Sequence, residues 1–538
     1  CDSGPTAAIY NPATGTVIGE VRNASAADVD GALDAARPWQ AAARERAATL
    51  NRAADLYEAH FASAFSLLAA EAGKTLPDAV AELREAVDFL RYYAARAETL
   101  PADAAARGTF VCISPWNFPL AIFTGQIAAA LATGNAVLAK PAETTAALAA
   151  WATGLLHQAG VPATALQLAP GEGGTVGAQL TGDQRVNGVA FTGSTQTARR
   201  IQAAMAKGCT PGTPLVAETG GLNAMVVDST ALPEQAIKDI LTSAFQSAGQ
   251  RCSALRCLYI QRDMAEGFIT QLIGAMEELR LGDPWELSTD IGPIITPAAQ
   301  AEIEGYCQAA AEAGRLLHRY SGPVPNTGNF VPPALIAVEG IEALEREVFG
   351  PVLHVATFEA DELDAVLDAV NATGYGLTFG IHTRINKRIE AVFGRVRAGN
   401  VYANRNQIGA IVGSQPFGGE GLSGTGPKAG GPHYLSRFQR SAATVIGSAW
   451  RGLDDPERLG AALRARAEDP VEPFPRLALP GPTGETNELA LIPRAPLLCA
   501  GPGTRAAQAQ QAFVKALGGR AVRGRGALYP DDLSVLPA

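Results

Sequence analysis

Four short apolar runs follow one another at 109–114, 136–140, 167–168 and 188–191, and a stretch of helical periodicity comes after each. This alternation constrains the fold more than any other feature. Runs so short and so poor in polar residues are strands covered on both faces. Strands separated by helices connect in parallel, so the expected architecture is α/β, a doubly wound parallel sheet. A second α/β block is expected over about 218–398, with strands at 223–227, 257–261 and 352–358. Ahead of both, Asn11-Pro12-Ala13-Thr14-Gly15 joins two β-prone runs as a hairpin turn. Residues 26–97 carry Ala, Leu, Glu and Arg at three- and four-residue spacing, a helical pattern. Residues 399–431 are dense in Gly, Asn and Pro and read as a loop-rich closure. Beyond Gln439 the composition shifts, and Leu479-Pro480-Gly481-Pro482-Thr483-Gly484-Glu485 introduces a partial additional α/β unit.

At 538 residues the chain exceeds what one core can hold, and two or three domains are expected. With 47% hydrophobic and 18% charged residues it reads as a soluble globular protein. The net charge of −10 argues against the basic footprint that nonspecific nucleic-acid binding needs, so no nucleic-acid partner is expected. The sequence has no apolar run long enough to cross a bilayer and no secretory signal at its start. Seven scattered Cys make no disulfide framework, and a reducing cytoplasm is the expected location. Six dispersed His, with no pair at metal-ligand spacing, give no reason to expect a metal. The chain opens on Cys1 rather than Met, and a fragment of a longer polypeptide is expected.

Three segments carry chemistry. Gly249-Gln250-Arg251-Cys252-Ser253-Ala254-Leu255-Arg256 presents a thiol, and Val216-Ala217-Glu218-Thr219-Gly220-Gly221 a carboxylate beside a glycine pair. Ile113-Ser114-Pro115-Trp116-Asn117-Phe118-Pro119 presents a side-chain amide in a Pro-bounded loop. An ordinary Cys, with a pKa of about 8.5, is mostly thiol at neutral pH yet remains the best neutral-pH nucleophile among side chains. Isolated cysteines are more often buried structural residues, and Cys112, Cys209, Cys257, Cys307 and Cys499 are read so. Taken singly, Asn beside Pro is a turn former and a lone Glu is a solvated charge. Taken together, thiol, amide and carboxylate are the groups that aldehyde oxidation through a thioester requires: a nucleophile, an oxyanion donor and a base for water.

In this order the three segments resemble the aldehyde dehydrogenase superfamily, and the resemblance extends over about residues 9–438. It implies the aldehyde dehydrogenase fold, a Rossmann-like cofactor domain with an α/β catalytic domain, here followed by a C-terminal extension. It implies that the Cys252 thiolate attacks the aldehyde to give a thiohemiacetal. Asn117 and the Cys252 backbone N–H would stabilise the oxyanion, and Glu218 would activate the hydrolytic water. No Gly-x-Gly-x-x-Gly fingerprint occurs at the first βα turn. Instead Phe191-Thr192-Gly193-Ser194-Thr195 joins a strand to a helix, where Gly193 and Ser194 can receive a pyrophosphate on backbone N–H groups. Leu138-Ala139-Lys140-Pro141-Ala142-Glu143 resembles the adenosine-ribose segment, with Lys140 and Glu143 on the hydroxyls. A carboxylate there disfavours the extra phosphate of NADP, so NAD is the expected cofactor. Glu347-Val348-Phe349-Gly350-Pro351 resembles the nicotinamide-side segment, Glu347 holding that ribose and Phe349 packing near the ring. Ile113, Ser114, Pro115 and Trp116 are also expected on the cofactor side.

Three further stretches narrow the resemblance to one branch, the glutamate-γ-semialdehyde (1-pyrroline-5-carboxylate) dehydrogenases. They are Cys252-Ser253-Ala254-Leu255-Arg256, Gln415-Pro416-Phe417-Gly418-Gly419-Glu420-Gly421, and Gly424-Thr425-Gly426-Pro427-Lys428-Ala429-Gly430-Gly431-Pro432-His433-Tyr434. The match is to the dehydrogenase part of the bifunctional bacterial proline utilization A family. The branch implies oxidation of L-glutamate γ-semialdehyde to L-glutamate, the second step of proline catabolism. The backbone of Gly409 and Ala410, within 406–412, would hold the substrate α-carboxylate together with Ser253, itself otherwise a plain small neighbour of the nucleophile. Phe118 and Phe417 would flank the aliphatic middle. The branch also implies a proline dehydrogenase domain in the intact polypeptide and a homodimer. The expected domains are 1–217 for NAD, completed by about 399–408, and 218–398 for catalysis. Residues 409–438 would anchor substrate and close or oligomerise the molecule, with 439–538 as the extension. Alternatives that share the motifs are a dehydrogenase for another short semialdehyde such as succinate semialdehyde, and a non-catalytic scaffold that keeps the fold. A CoA-acylating relative would dispense with Glu218.

Overall fold

The structure is a computed structural model and describes residues 4–101, 104–440, 449–469 and 474–528. The four apolar runs become the strands Thr109–Ile113, Ala136–Lys140, Leu166–Leu168 and Gly188–Gly193, and Leu215–Thr219 adds a fifth. They lie in the order Leu166–Leu168, Ala136–Lys140, Thr109–Ile113, Gly188–Gly193, Leu215–Thr219, all parallel. The order reverses between Thr109–Ile113 and Gly188–Gly193, so the chain leaves these neighbours in opposite directions and a crevice opens at their carboxyl ends. Both faces are buried, which is why the strands read as unbroken apolar runs. Phe110, Cys112, Val137, Ala139 and Ala190 pack with the helices Ala43–Ala59, Leu76–Glu98 and Ala121–Ala132. Val111, Ile113, Leu138, Val189 and Phe191 pack on the other face with Ile201 and Met205 of the helix Thr195–Gly208.

The helical stretch before the sheet divides into Ala26–Ala35, Ala43–Ala59, Phe61–Ala72 and Leu76–Glu98. Ser25 and Asp28 start the first with reciprocal capping bonds. It stops ahead of Pro38, whose ring cannot continue a helix. The expected hairpin is present, Thr6–Tyr10 against Val17–Arg22.

The second sheet has seven strands, in the order Leu316–Arg319, Ala334–Ala337, Val352–Phe358, Cys257–Gln261, Ala224–Val227, Thr378–His382, Asn400–Ala403. Leu316–Arg319 runs antiparallel and the remaining pairs are parallel. Two expected boundaries are corrected by these pairings. Glu218 lies in Leu215–Thr219, so the first sheet runs past residue 217. Residues 400–403, expected to complete the first domain, instead pair with Thr378–His382 in the second sheet. The helix Asn386–Arg395 between these two strands makes them a crossover unit, and such units return the chain beside the strand it left.

Residues 1–440 form one compact unit and 441–538 another. In the second, Asp455 caps the helix Pro456–Ala467, Phe474–Leu479 pairs with Asn487–Leu491, and the helix Gly503–Ala516 connects the parallel pair Leu497–Cys499 and Ala521–Arg523. Among the described residues no helix is long and apolar enough to cross a membrane.

Candidate active site

The helix Pro233–Phe245 runs into a loop whose backbone turns sharply before Cys252. Ser247 and Ala248 both have φ of 55°, and Gly249 follows at 68°. Non-glycine residues held in this region cost of order 1–3 kcal/mol each, so neighbours must impose the conformation. Asp78, fully buried on the helix Leu76–Glu98, accepts hydrogen bonds from Gln246 Nε2 (2.6 Å), Ser247 Oγ (2.8 Å) and Arg251 Nη2 (2.8 Å). Arg256, also fully buried, donates to the carbonyls of Gly249 (2.8 Å), Arg251 (3.1 Å) and Gly350 (3.2 Å), and pairs with Glu347 at 3.0 Å. Asn223 Nδ2 donates to the carbonyls of Cys252 (2.6 Å) and Ala254 (3.0 Å). Asn117 Nδ2 donates to Gln250 O at 3.1 Å, which places the amide two residues from the thiol. The Cys252 loop is thus held by side chains from the helix Leu76–Glu98 and from segments that adjoin strands of both sheets.

Cys252 is half-buried and lines two cavities at once. Burial, then the carboxylates of Glu347 and Glu218, push its thiol up to about 12, against the pull of Arg251. Attack on a carbonyl therefore requires that the thiol first give up its proton. Glu218 lines the smaller cavity. Burial pushes its carboxyl up to about 8, opposed by the Gly419 N–H and by Lys428. Its Oε2 accepts from Gly419 N at 2.8 Å, while Oε1 has no hydrogen-bond partner among the described residues. Backbone presses on it from two more sides: a Cβ on Gly418 would stand 2.8 Å from Oε1, and one on Gly424 2.8 Å from Oε2. A carboxyl that ionises near neutral pH and keeps an oxygen unpaired suits a general base.

The larger cavity, of about 940 Å³, lies at the carboxyl end of the first sheet's reversal point. Ile113, Ser114, Pro115, Trp116, Lys140, Glu143, Gly193, Ser194, Glu347 and Phe349 all line it, as does Asn117. Lys140 Nζ pairs with Glu143 at 3.2 Å, and Glu143 also accepts from Gly173 N at 2.8 Å. Ser194 caps the helix Thr195–Gly208 through Thr197 N, which leaves the Thr195 and Gln196 N–H groups without a partner among the described residues. Trp116 and Phe349 meet edge to face, their centroids 5.7 Å apart. Gly173 and Gly174, with nothing within 4 Å of an added Cβ, leave room over Lys140 and Glu143. A dinucleotide fits this donor set: free N–H groups at a helix start for phosphate, paired polar side chains for ribose, aromatic rings beside the thiol.

The smaller cavity, of about 380 Å³, holds Phe118, Ser253, Gly409, Ala410 and Phe417 together with Cys252 and Glu218. Two cations lie over the Phe118 ring, Lys74 Nζ at 4.3 Å and Arg251 Cζ at 5.3 Å from its centre. The helix Leu76–Glu98 contributes Asp78, Glu82 and Glu85 to the same wall. Asp78 is bound by Arg251 and Glu82 by Lys74, the latter at 3.2 Å. Glu85 makes no hydrogen bond or ion pair among the described residues, and burial followed by the charge of Glu82 pushes it up to about 7 against Arg251 and Lys74. The N–H groups of Gly409 and Ala410 are likewise unpaired among the described residues.

The thiol, amide, carboxyl and lining residues singled out in the sequence all border one or both of these cavities, and their supports carry no such sequence signal. Asp78, Asn223 and Glu85 received no role, and Arg256 appeared only as part of a motif. The Gly171–Gly177 stretch, visibly Gly-rich, was passed over although it lines the larger cavity.

A thiol between a crevice that fits a dinucleotide and a second cavity that carries a buried carboxyl is an arrangement suited to thiol-dependent oxidation. The chain belongs to the aldehyde dehydrogenase family, whose model matches residues 2–443. It is similar to the bifunctional protein PutA of Klebsiella aerogenes, 48% identical over 98% of this chain and 44% of that protein. It is also similar to the 1-pyrroline-5-carboxylate dehydrogenase of Bacillus cereus (strain B4264), 36% identical over 80% of this chain and 87% of the relative. Among solved structures, 1-pyrroline-5-carboxylate dehydrogenase from Thermus with bound NAD matches with a TM-score of 0.76 and 31% identity, covering 82% of this chain and 89% of that one. The chain spans less than half the length of the PutA relatives it matches.

Proposed function

We propose that this chain oxidises L-glutamate γ-semialdehyde to L-glutamate with NAD, through a thioester on Cys252. One observation carries the substrate reading. The cavity beyond the thiol holds an unpaired carboxylate, Glu85, and two unpaired backbone N–H groups, at Gly409 and Ala410. An amino-acid head group supplies the complement, an ammonium for the first and a carboxylate for the second. Ser253 adds a hydroxyl beside the nucleophile, and Phe118 and Phe417 face the aliphatic middle. The relatives named 1-pyrroline-5-carboxylate dehydrogenase support the same assignment.

The Cys252 thiol gives its proton to solvent as its sulfur attacks the aldehyde carbon, and the oxygen gains charge near the Asn117 amide and the Cys252 N–H. NAD supplies the acceptor for the hydride that then leaves the same carbon. Glu218, ionised above pH about 8, takes a proton from water as its oxygen adds to the thioester carbon, and the C–S bond breaks to release acid and thiol. Succinate semialdehyde has no ammonium for Glu85, so it leaves that carboxylate unpaired.

The PutA relatives are called bifunctional and are more than twice this chain's length. In the same reading, a proline-oxidising region supplies the semialdehyde.

The test compares NADH formation from glutamate semialdehyde and from succinate semialdehyde. The expected kcat/KM ratio is about 100 or more, because an unmatched buried polar group is strongly discriminated against. Cys252→Ala should abolish turnover of both. Equal turnover of the two aldehydes by the parent protein would refute the substrate.

A further inference from the structure

Resting on that reading, we infer that Gln407 is a positioning residue that fixes the separation between the Gly409-Ala410 backbone and the Cys252 thiol, and so sets the length of the aldehyde that fits. Gln407 is fully buried, two residues before Gly409, and lines neither the substrate cavity nor the dinucleotide cavity. Its Nε2 donates to the carbonyl of Ser253 (3.4 Å) and to Thr378 Oγ1 (3.3 Å). Its backbone N–H donates to Ser243 Oγ at 3.1 Å, and Ser243 sits on the helix that leads into the nucleophile loop. One residue therefore ties the anchor segment to both sides of Cys252.

The nucleophile does not depend on this tie. Thr378 Oγ1 donates to Ser253 O at 3.2 Å by itself, and Asn223 grips the carbonyls on either side of Ser253 while accepting from Thr378 N at 3.1 Å. The anchor segment is less well provided. Asn404 fixes its start through Ile381 O (2.8 Å), and Gly413 N donates to Gly430 O (2.9 Å) beyond its end. Between these points Gly409 and Ala410 make no hydrogen bond among the described residues; Ile411 O, which accepts from Ser414 N (3.1 Å) and Gln415 N (2.7 Å), holds the far side, and Gln407 is the fixture on the side that leads to Cys252.

Stability alone does not account for an amide here. Gln407 Oε1 is buried without a partner among the described residues, and an orphaned acceptor destabilises. An apolar side chain of similar length would fill the space without that cost, and the amide's return is the bond to Ser253. A rigid tie then distinguishes substrates whose carboxylate and aldehyde differ in spacing by one methylene.

The experiment measures kcat/KM with NAD for the semialdehydes of aspartate, glutamate and α-aminoadipate, of four, five and six carbons, in the parent protein, Gln407→Met and Ser243→Ala. The parent should prefer five carbons. In Gln407→Met the five-to-six-carbon ratio should fall at least about tenfold, through KM for the five-carbon substrate, with KM for NAD unmoved and the melting temperature not lowered. Ser243→Ala should shift the ratio the same way to a smaller extent, and it keeps the inference open to test should Gln407→Met not fold. A lowered melting temperature with all three substrates depressed alike, or an unchanged ratio in both variants, overturns the inference while leaving the proposed function in place. A parent protein that does not prefer five carbons overturns both.

Discussion

Glu218→Gln tests the base through two unrelated observables. The substitution keeps the shape of the side chain, and the amide oxygen can still accept from Gly419 N. What changes is charge. Burial moves the carboxyl from 4.5 to about 8 in the folded protein. At about 1.4 kcal/mol per unit, keeping it ionised in the fold costs at most about 5 kcal/mol. The sign follows from the raised value. Glu218's contribution is complete below its unfolded value of 4.5 and is lost as pH rises through about 8. The amide escapes that loss but buries an NH₂ where Oε1 already lacks a partner, a cost of about 1–3 kcal/mol. The stability difference should therefore cross zero: the variant melts lower than the parent at pH 5 and higher at pH 9. In rapid-mixing kinetics the variant should release about one equivalent of NADH per site and then turn over about 10²–10⁴ times more slowly, since thioester formation precedes the step that needs the base. Melting curves that run parallel from pH 5 to 9 would refute the buried, late-ionising carboxyl. Loss of the burst would refute a role confined to hydrolysis.

Two other substitutions probe the supports. Asp78→Ala leaves Arg251 buried without its partner and frees Ser247, and it should cost about 3–5 kcal/mol in urea unfolding. Although burial by itself would raise it, Arg251 and Lys74 hold the Asp78 carboxyl below its usual value, so its stabilisation is present above the unfolded pKa and disappears as pH falls through the folded one. Gly409→Ala has open space, with no atom within 4 Å of the new Cβ, but φ is 95°. The effect is then one of backbone alone: KM for glutamate semialdehyde should rise severalfold while KM for NAD does not move, and equal changes in both would contradict it.

Apolar runs gave the strands wherever burial on two faces had to be encoded locally. Ala136–Lys140, Cys257–Gln261 and Val352–Phe358 fall where the pattern puts them. Thr378–His382 escaped notice because Gly380 and His382 interrupt its run, although every residue in it is buried. That burial comes from the sheet neighbours and not from the sequence window. The braces around Cys252 were hidden for a similar reason. On a helix rich in charge, Asp78, Glu82 and Glu85 have the spacing of a solvated face, and only packing against Lys74, Arg251 and Phe118 turns that face inward. Residues 400–403 illustrate another error: they read as part of a loop-rich closure belonging with the first domain, yet Asn400–Ala403 is a strand of the second sheet, because pairing partners follow from topology that a single segment does not carry.

The backbone enclosure around Glu218 has a consequence for how such an enzyme can change over time. Evolution commonly tunes a base by swapping the side chains that surround it. Here Gly418 and Gly424 admit no side chain on the carboxylate, and Gly419 contributes through its main chain, which every residue but proline shares. The proton affinity of the base is thereby sheltered from most single-residue drift. Lys428, whose own ammonium burial brings down to about 8, is the adjustable charge beside it. Diversification of this chain toward new aldehydes is free to rework the aromatic walls and the anchor segment while the timing of hydrolysis stays as it is.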